Sequence, residues 1–265
     1  MKELKVAIIG CGNLGLSIVH GLLGNKSVAP GSITVTKRNI ESIRDLEAKG
    51  VQVTTDNAAA VRASDLVLIA VKPYDMENVL CEIRDVVNPE KHTLVSIATG
   101  VTLQKIEEIL QKPTPLFRAM PNIATDIRES VTCICQNQAA NRHRESVEWV
   151  FDHLCTTLHI NEDLMDAATI LGACGIAYVL RFIRAMIQGG IEIGFDAVTA
   201  KKIVNQTVKG AAELLITNND HPEMEIDKVT TPKGCTIVGL NEMEHQGFSS
   251  SLIRGIVASF EKIEK

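Results

Sequence analysis

Gly10-Cys11-Gly12-Asn13-Leu14-Gly15 decides the fold of this 265-residue chain. The six residues follow a short apolar run, Val6–Ile9, and open a segment over 13–23 whose apolar spacing fits a helix. A strand that turns through glycines into a helix is the opening unit of a nucleotide-binding parallel sheet. Gly10 permits the tight turn, Gly12 lets the backbone approach a pyrophosphate, and Gly15 lets helix and strand pack closely. The helix end, at Asn13 and Leu14, adds unpaired N–H groups and the positive end of the helix dipole. The spacing and its setting predict a dinucleotide site; a glycine-rich turn in an unrelated sheet is the alternative.

Outward from this loop, residues 1 to about 120 alternate short β-branched runs with helix-like segments, the pattern of a parallel sheet covered on both faces. Strands are expected at 4–9, 32–36, 66–71, 93–97 and 116–119, each nearly continuous in apolar residues as doubly buried strands should be. Helices are expected at 13–23, 40–49, 57–62, 76–86 and 103–110, with Asn39 and Thr102 as N-caps. Two edge strands, 131–135 and 157–160, and a helix at about 142–154 would complete a first domain, residues 1–160. Beyond it the strand signals stop. Long helical patterns at 164–193, 197–217, 223–229, 236–245 and 252–262 predict an all-helical second domain, residues 161–265. Within it, 170–183 is apolar nearly all round, so it is either the centre of this small domain or, the favoured reading, part of a subunit interface.

A loop of this type usually has Asp or Glu about 20 residues on, at the end of the second strand, to hold the ribose 2′-hydroxyl. Here that place reads Thr36-Lys37-Arg38-Asn39. Two cations and a hydroxyl suit a 2′-phosphate, which selects NADP(H), with NAD(H) kept as the alternative. The other reading of Lys37 and Arg38 is a solvated loop tip. Ala70-Val71-Lys72-Pro73, Ser96-Ile97-Ala98-Thr99-Gly100 and Met120-Pro121-Asn122 end three further strands, at the carboxyl edge where open parallel sheets bind ligands. In the second domain, Thr230-Thr231-Pro232-Lys233-Gly234-Cys235-Thr236 leads into a helix. Its N–H groups would suit a small carboxylate, with Thr236 Oγ as one directed hydrogen-bond donor; an N-capped interhelical turn is the plainer alternative.

Composition excludes several classes. Lys and Arg number 27 against 32 Asp and Glu, for a formal charge of −5, and aromatics are 3%, so a nucleic-acid partner is not expected. No secretory apolar run follows Met1, and Arg181, Arg184 and Glu192 interrupt the most apolar stretch, 170–195, so no membrane span is expected. Seven cysteines without metal-ligand spacing predict free thiols, no metal and a cytoplasmic protein.

At these residues the chain resembles the pyrroline-5-carboxylate reductases, over essentially its whole length. Gly10–Gly15 resembles the family's glycine loop, Asp56-Asn57 its Asp-Asn pair, and Ala70–Pro73, Ser96–Gly100 and Met120–Asn122 its three strand-end turns. Thr230–Glu244 resembles its C-terminal signature, usually Ser-Pro-Gly-Gly-Thr-Thr before an apolar helix. Two departures stand out. Lys233 and Cys235 replace a glycine and a threonine of that signature, and 172–178 lacks two serines and a proline common in the family. The resemblance implies a doubly wound α/β (Rossmann-type) domain followed by an all-α dimerisation domain. It implies NADPH-dependent reduction of the imine 1-pyrroline-5-carboxylate to L-proline, in proline biosynthesis, by a homodimer or higher homo-oligomer. Cofactor residues would be Gly10, Gly12, Asn13, Leu14, Gly15, Lys37, Arg38, Asn57, Ala70, Lys72, Pro73, Ala98 and Asn122. Substrate residues would be Thr231, Gly234, Cys235 and Thr236, with Thr236 at the imine nitrogen. The rivals are a related reductase of another imine or keto acid, and a non-catalytic NADP-binding regulator.

Overall fold

The computed structural model describes residues 4–25 and 28–263. It forms two compact units, one reaching through Cys174 and the other Gly175–Lys262.

The first unit is built on β1 (Val6–Ile9), β2 (Ile33–Thr36), β3 (Gln52–Thr54), β4 (Leu66–Ile69), β5 (Thr93–Ser96), β6 (Leu116–Met120), β7 (Ser130–Gln136) and β8 (Cys155–His159). They form one sheet in the order β3-β2-β1-β4-β5-β6-β7-β8, parallel except where β7 runs against β6. The order reverses between β1 and β4, and the crevice at the carboxyl ends of such a pair is where an open α/β sheet binds its ligand. Helices of this unit are α1 (Asn13–Asn25), α2 (Asp45–Ala48), α3 (Asn57–Ala63), α4 (Met76–Ile83), α5 (Leu103–Leu110), α6 (Arg144–Asp152) and α7 (Met165–Ala168).

Strand alternation divides the interior into two cores. Val6, Ile8, Leu66, Leu68, Val95 and Phe117 face α1, α2 and α6; Ala7, Ile9, Val67, Ile69, Leu94 and Leu116 face α3, α4, α5 and α7. Both faces are covered, which is why these strands read as unbroken apolar runs. The expected caps are present: Asn39 Oδ1 accepts from Glu41 N at 3.1 Å, and Thr102 Oγ1 from Lys105 N at 3.2 Å.

Three expectations need correction. The 40–49 helix is a 3₁₀ turn, Ile40–Ile43, before the short α2. A strand, β3, follows it unforeseen. And β7 is no edge strand: it lies between β6 and β8, and its polar residues Ser130 and Thr132 are buried.

The second unit holds α8 (Gly175–Glu192), α9 (Ala197–Asn218), α10 (Pro222–Lys228), α11 (Cys235–His245) and α12 (Phe248–Ile263). Gly190 brings α8 and α9 close, since a Cβ there would stand 3.2 Å from Ala200 Cβ. Tyr178 donates to Ser259 Oγ at 2.7 Å and joins α8 to α12. Little else of α8 is enclosed: Val179, Leu180 and Phe182 are exposed, as are Ile193, Ile216 and Leu252 on neighbouring segments. On α9, Ala200 and Val204 are buried and Ile203 is exposed.

A π-helical turn, Thr169–Cys174, precedes α8. The whole helical run Glu162–Glu192 is long and apolar enough, by length and composition alone, to cross a membrane, and 6% of its most apolar window is buried in this chain. Arg181 and Arg184 interrupt this run as expected, and its longest uncharged stretch is residues 167–180.

Candidate active site

The glycine loop lies between the carboxyl end of β1 and the start of α1, at the reversal of strand order. Gly10 has φ +85°, and a Cβ there would stand 2.4 Å from Val71 Cγ1 and 3.0 Å from Ala70 O, so only glycine fits. A Cβ on Gly15 would meet Gly10 O at 3.2 Å. Gly12 is different: a Cβ there would meet nothing within 4 Å, so the loop presents bare backbone to open space at a helix N-terminus. The N–H groups of Asn13, Leu14 and Gly15, in the first turn of α1, lack partners within the helix. These features fit a pyrophosphate. Cys11, between the glycines, is buried, and burial pushes its thiol up to about 11, so it is a neutral packing group.

The end of β2 clasps this loop. Thr36 O accepts from Gly10 N at 3.1 Å and Cys11 N at 2.8 Å, and Thr36 Oγ1 accepts from Gly10 N at 3.2 Å. Beyond Thr36, Lys37 and Arg38 project to the surface. Arg38 is 90% exposed on its side chain and reaches Asp75 Oδ2 at 3.3 Å, spanning from the β2 end to the turn after Lys72-Pro73. The loop-tip reading and the phosphate reading therefore share one geometry: a half-buried Lys37 and an exposed Arg38 beside the crevice.

The remaining positions divide by how much of each side chain is free. Lys72 and Pro73 are exposed and Ala70 half-buried along the β4 end. Ala98 lies in the core with its N–H on Ser96 Oγ at 3.3 Å, which leaves the half-buried Thr99 and the exposed Gly100 as the rim. Asn57 and Asn122 are engaged inside the protein. Asn57 accepts from Thr36 Oγ1 at 2.6 Å and donates to Glu82 Oε2 at 2.8 Å. Asn122 Oδ1 accepts from Ala124 N at 2.9 Å, and its Nδ2 donates to Gly172 O in the π-helical turn at 3.0 Å. Nearby, the buried Arg118 on β6 pairs with Glu162 at 2.9 Å, and Glu162 also accepts from Leu103 N at 2.7 Å.

In the second unit the 230–236 segment is a tight turn. Gly234 N donates to Thr231 O at 2.9 Å, with Pro232 and Lys233 at the corner. Lys233 has φ +60°, a conformation that suits glycine, and Gly234 packs so closely that a Cβ would stand 2.6 Å from Thr231 Oγ1. Gly234 is the N-cap of α11, without a side-chain capping bond, so the first N–H groups of α11 remain open. Thr231, Cys235 and Thr236 are exposed around them. Thr230 is turned inward, its hydroxyl on Ile226 O at 2.7 Å.

Sequence reasoning missed Glu82, Asp75, Arg118 and Glu162, whose partners lie far along the chain, and two histidine–carboxylate pairs. His20 Nδ1 lies 2.9 Å from Asp126 Oδ1, and His159 Nε2 lies 2.6 Å from Glu148 Oε1. Among the described residues no group of His, Cys, Asp and Glu could hold a metal ion, and all seven cysteines are free.

Two family models match the chain: NADP oxidoreductase coenzyme F420-dependent over residues 5–100, and pyrroline-5-carboxylate reductase dimerisation over 162–265. A Dictyostelium discoideum protein named pyrroline-5-carboxylate reductase 1 is 44% identical over 97% of this chain, which spans about half (49%) of that relative's length. Pyrroline-5-carboxylate reductase 2 of the same organism is 40% identical over 98% of this chain and 92% of its own. The crystal structure of Plasmodium falciparum pyrroline carboxylate reductase with NADP bound superposes with a TM-score of 0.91 at 26% identity, covering 99% of this chain and 98% of that one.

Proposed function

Because the chain belongs to the pyrroline-5-carboxylate reductase family, we propose that it reduces 1-pyrroline-5-carboxylate to L-proline with NADPH, the closing reduction of proline biosynthesis. The observation that carries this reading is the near-full-length match to a reductase at 40% identity, whose span takes in both the glycine loop and the 230–236 turn.

The site residues take these roles. Backbone of Gly10, Gly12 and Gly15 and the N–H groups of Asn13 and Leu14 hold the pyrophosphate, which bare glycine at a helix N-terminus admits. Lys37 and Arg38 hold the 2′-phosphate; Ala70, Lys72, Pro73 and Ala98 line the crevice, and Asn57 and Asn122 shape it from behind. Bound there, NADPH supplies the hydride. In the helical domain, Thr231 and the N–H groups of Gly234, Cys235 and Thr236 bind the substrate carboxylate. Thr236 Oγ orients the imine nitrogen; an unactivated hydroxyl is too weak an acid to serve as a titrating proton donor. The protein's contribution is alignment of two carbons at near-attack distance.

We take residues 1–160 as the nucleotide-binding domain and 161–265 as the substrate-binding and dimerisation domain. The exposed apolar side chains of α8, α9 and α12 are then covered by a second copy of the chain rather than by lipid. That reading is supported by the match of 162–265 to a dimerisation family. Seven free thiols support a cytoplasmic setting. A reductase of another imine or keto acid is the second reading, favoured by Lys233, which places a cation at φ +60° in the turn assigned to the substrate.

The test is NADPH oxidation followed by absorbance, with pyrroline-5-carboxylate as substrate, in wild type and Thr236→Ala, and with NADH in parallel. Turnover that falls in Thr236→Ala, with NADPH preferred, supports the assignment. NADPH binding without turnover on this imine refutes it and leaves a different substrate or a regulator.

A further inference from the structure

We propose that Glu82 is a positioning residue for the cofactor loop, acting through Asn57 and Thr36 on Gly10. The inference rests on the reading of Gly10–Gly15 as the NADPH pyrophosphate loop.

The groups form one directed chain. Gly10 N–H donates to Thr36 Oγ1 at 3.2 Å, the Thr36 hydroxyl donates to Asn57 Oδ1 at 2.6 Å, and Asn57 Nδ2 donates to Glu82 Oε2 at 2.8 Å. They come from the loop, the end of β2, the first residue of α3 and the last turn of α4. Thr36 is fully buried, Asn57 half-buried and Glu82 exposed, so the chain runs from solvent to the back of the loop.

Its polarity is set at the outer end. A carboxylate only accepts, so the amide of Asn57 must turn its NH₂ toward Glu82 and its oxygen toward Thr36. That oxygen takes the Thr36 proton, which leaves a hydroxyl lone pair facing Gly10 N–H. Without Glu82 the amide has no reason to prefer one of its two flips. In the other flip its NH₂ faces Thr36, the hydroxyl loses the acceptor that fixed its proton, and its lone pair is no longer held on Gly10 N–H, which keeps Thr36 O at 3.1 Å. Bonds in such a chain also strengthen one another. The place is informative: the end of β2 lacks the acid usual in NAD-binding loops, and the carboxylate found there comes from α4 and meets the protein's own amide.

The test measures NADPH dissociation constants by fluorescence, together with KM for NADPH, kcat, KM for the imine and thermal midpoint. Wild type, Glu82→Leu, Glu82→Gln, Asn57→Asp and the double variant Asn57→Asp/Glu82→Gln are compared. Glu82→Leu should raise the NADPH dissociation constant about 3- to 10-fold, the range for one lost hydrogen bond, with kcat and imine KM within about twofold. Glu82→Gln keeps an acceptor but no longer dictates the direction of the Asn57 amide, so it should bind between wild type and Glu82→Leu. Asn57→Asp sets two carboxylates against each other and should bind worse; adding Glu82→Gln restores donor, acceptor and net charge and should recover binding at least in part. A packing role alone would lower the thermal midpoint and leave this order unmoved. The inference is overturned if Glu82→Leu binds NADPH within twofold of wild type, or if the double variant binds no better than Asn57→Asp. Failure of wild type to bind NADPH would instead overturn the reading of the loop, and this inference with it.

Discussion

Glu162→Ala should cost far more stability than removing Glu162 and its partner together. The Arg118 side chain is 3% exposed, and its one good charged contact is Glu162 Oε1 at 2.9 Å; Asp166 Oδ1 stands off at 3.6 Å. Arg118 Nε and Nη2 are buried without hydrogen-bond partners, so the guanidinium is already under-satisfied. Removing Glu162 orphans a buried cation. Breaking a buried pair from one side costs about 3–5 kcal/mol, and the 32% exposure of Glu162 places this case at the low end. Leu103 N–H also loses its 2.7 Å acceptor, for about 1 kcal/mol more. The sum is about 3–4 kcal/mol. In Arg118→Met/Glu162→Gln the buried cation is gone, the methionine stem fills its space, and glutamine still accepts from Leu103 N; the expected cost is within about 1 kcal/mol. The assay is urea unfolding followed by the fluorescence of Trp149, the only tryptophan, which lies in the same unit. Protein concentration is held fixed because association shifts apparent stability. With a slope of about 2 kcal/mol per molar urea, Glu162→Ala lowers the midpoint by about 1.5–2 M and the double variant by less than about 0.5 M. Equal losses in the two, or a loss under about 1 kcal/mol in Glu162→Ala, would refute the argument.

Gly21→Ala should destabilise by about 2–3 kcal/mol despite its better helix propensity, because its Cβ would stand 2.3 Å from the backbone oxygen of Thr125; a drop of about 5 °C or more in thermal midpoint checks it. His92 is buried, and burial, followed by the neighbouring Lys91, holds its pKa below 6.5. The unfolded chain therefore binds the extra proton first, and stability present above pH 6.5 is lost as pH falls through the lowered native value; denaturation midpoints against pH should slope there in wild type and flatten in His92→Gln. Leu180, 52% exposed on α8, becomes a buried charge at a dimer interface in Leu180→Asp, which should sediment as a monomer and lose activity; a fully active monomer would contradict the interface.

The strands that carry the cofactor crevice were legible because burial on both faces writes itself as unbroken apolar residues, as in Val6–Ile9 and Leu66–Ile69. The glycine loop was legible because steric need fixes glycine at Gly10 and crowds any side chain at Gly15. β3 was not, since Gln52–Thr54 is a half-exposed edge strand of three residues in which Val53 alone packs against the core. β7 misled because Ser130 and Thr132 alternate with apolar neighbours as a half-solvated strand does, although here both are buried. The Thr36–Asn57–Glu82 chain was hidden for another reason. Its links span 21 and 25 residues, and each residue alone is an ordinary polar surface type; only the packing of α3 on α4 puts them in line. The apolar 170–183 segment was read as interface or core centre, and its exposure in the single chain agrees with the first.

The most direct test of the account is isotopic. Wild-type protein is incubated with pyrroline-5-carboxylate and NADPH carrying deuterium in the transferred position, and the product is read by mass spectrometry. The account predicts L-proline one mass unit heavier, labelled at the former imine carbon. Unlabelled proline, or no proline from a protein that binds NADPH, would contradict it.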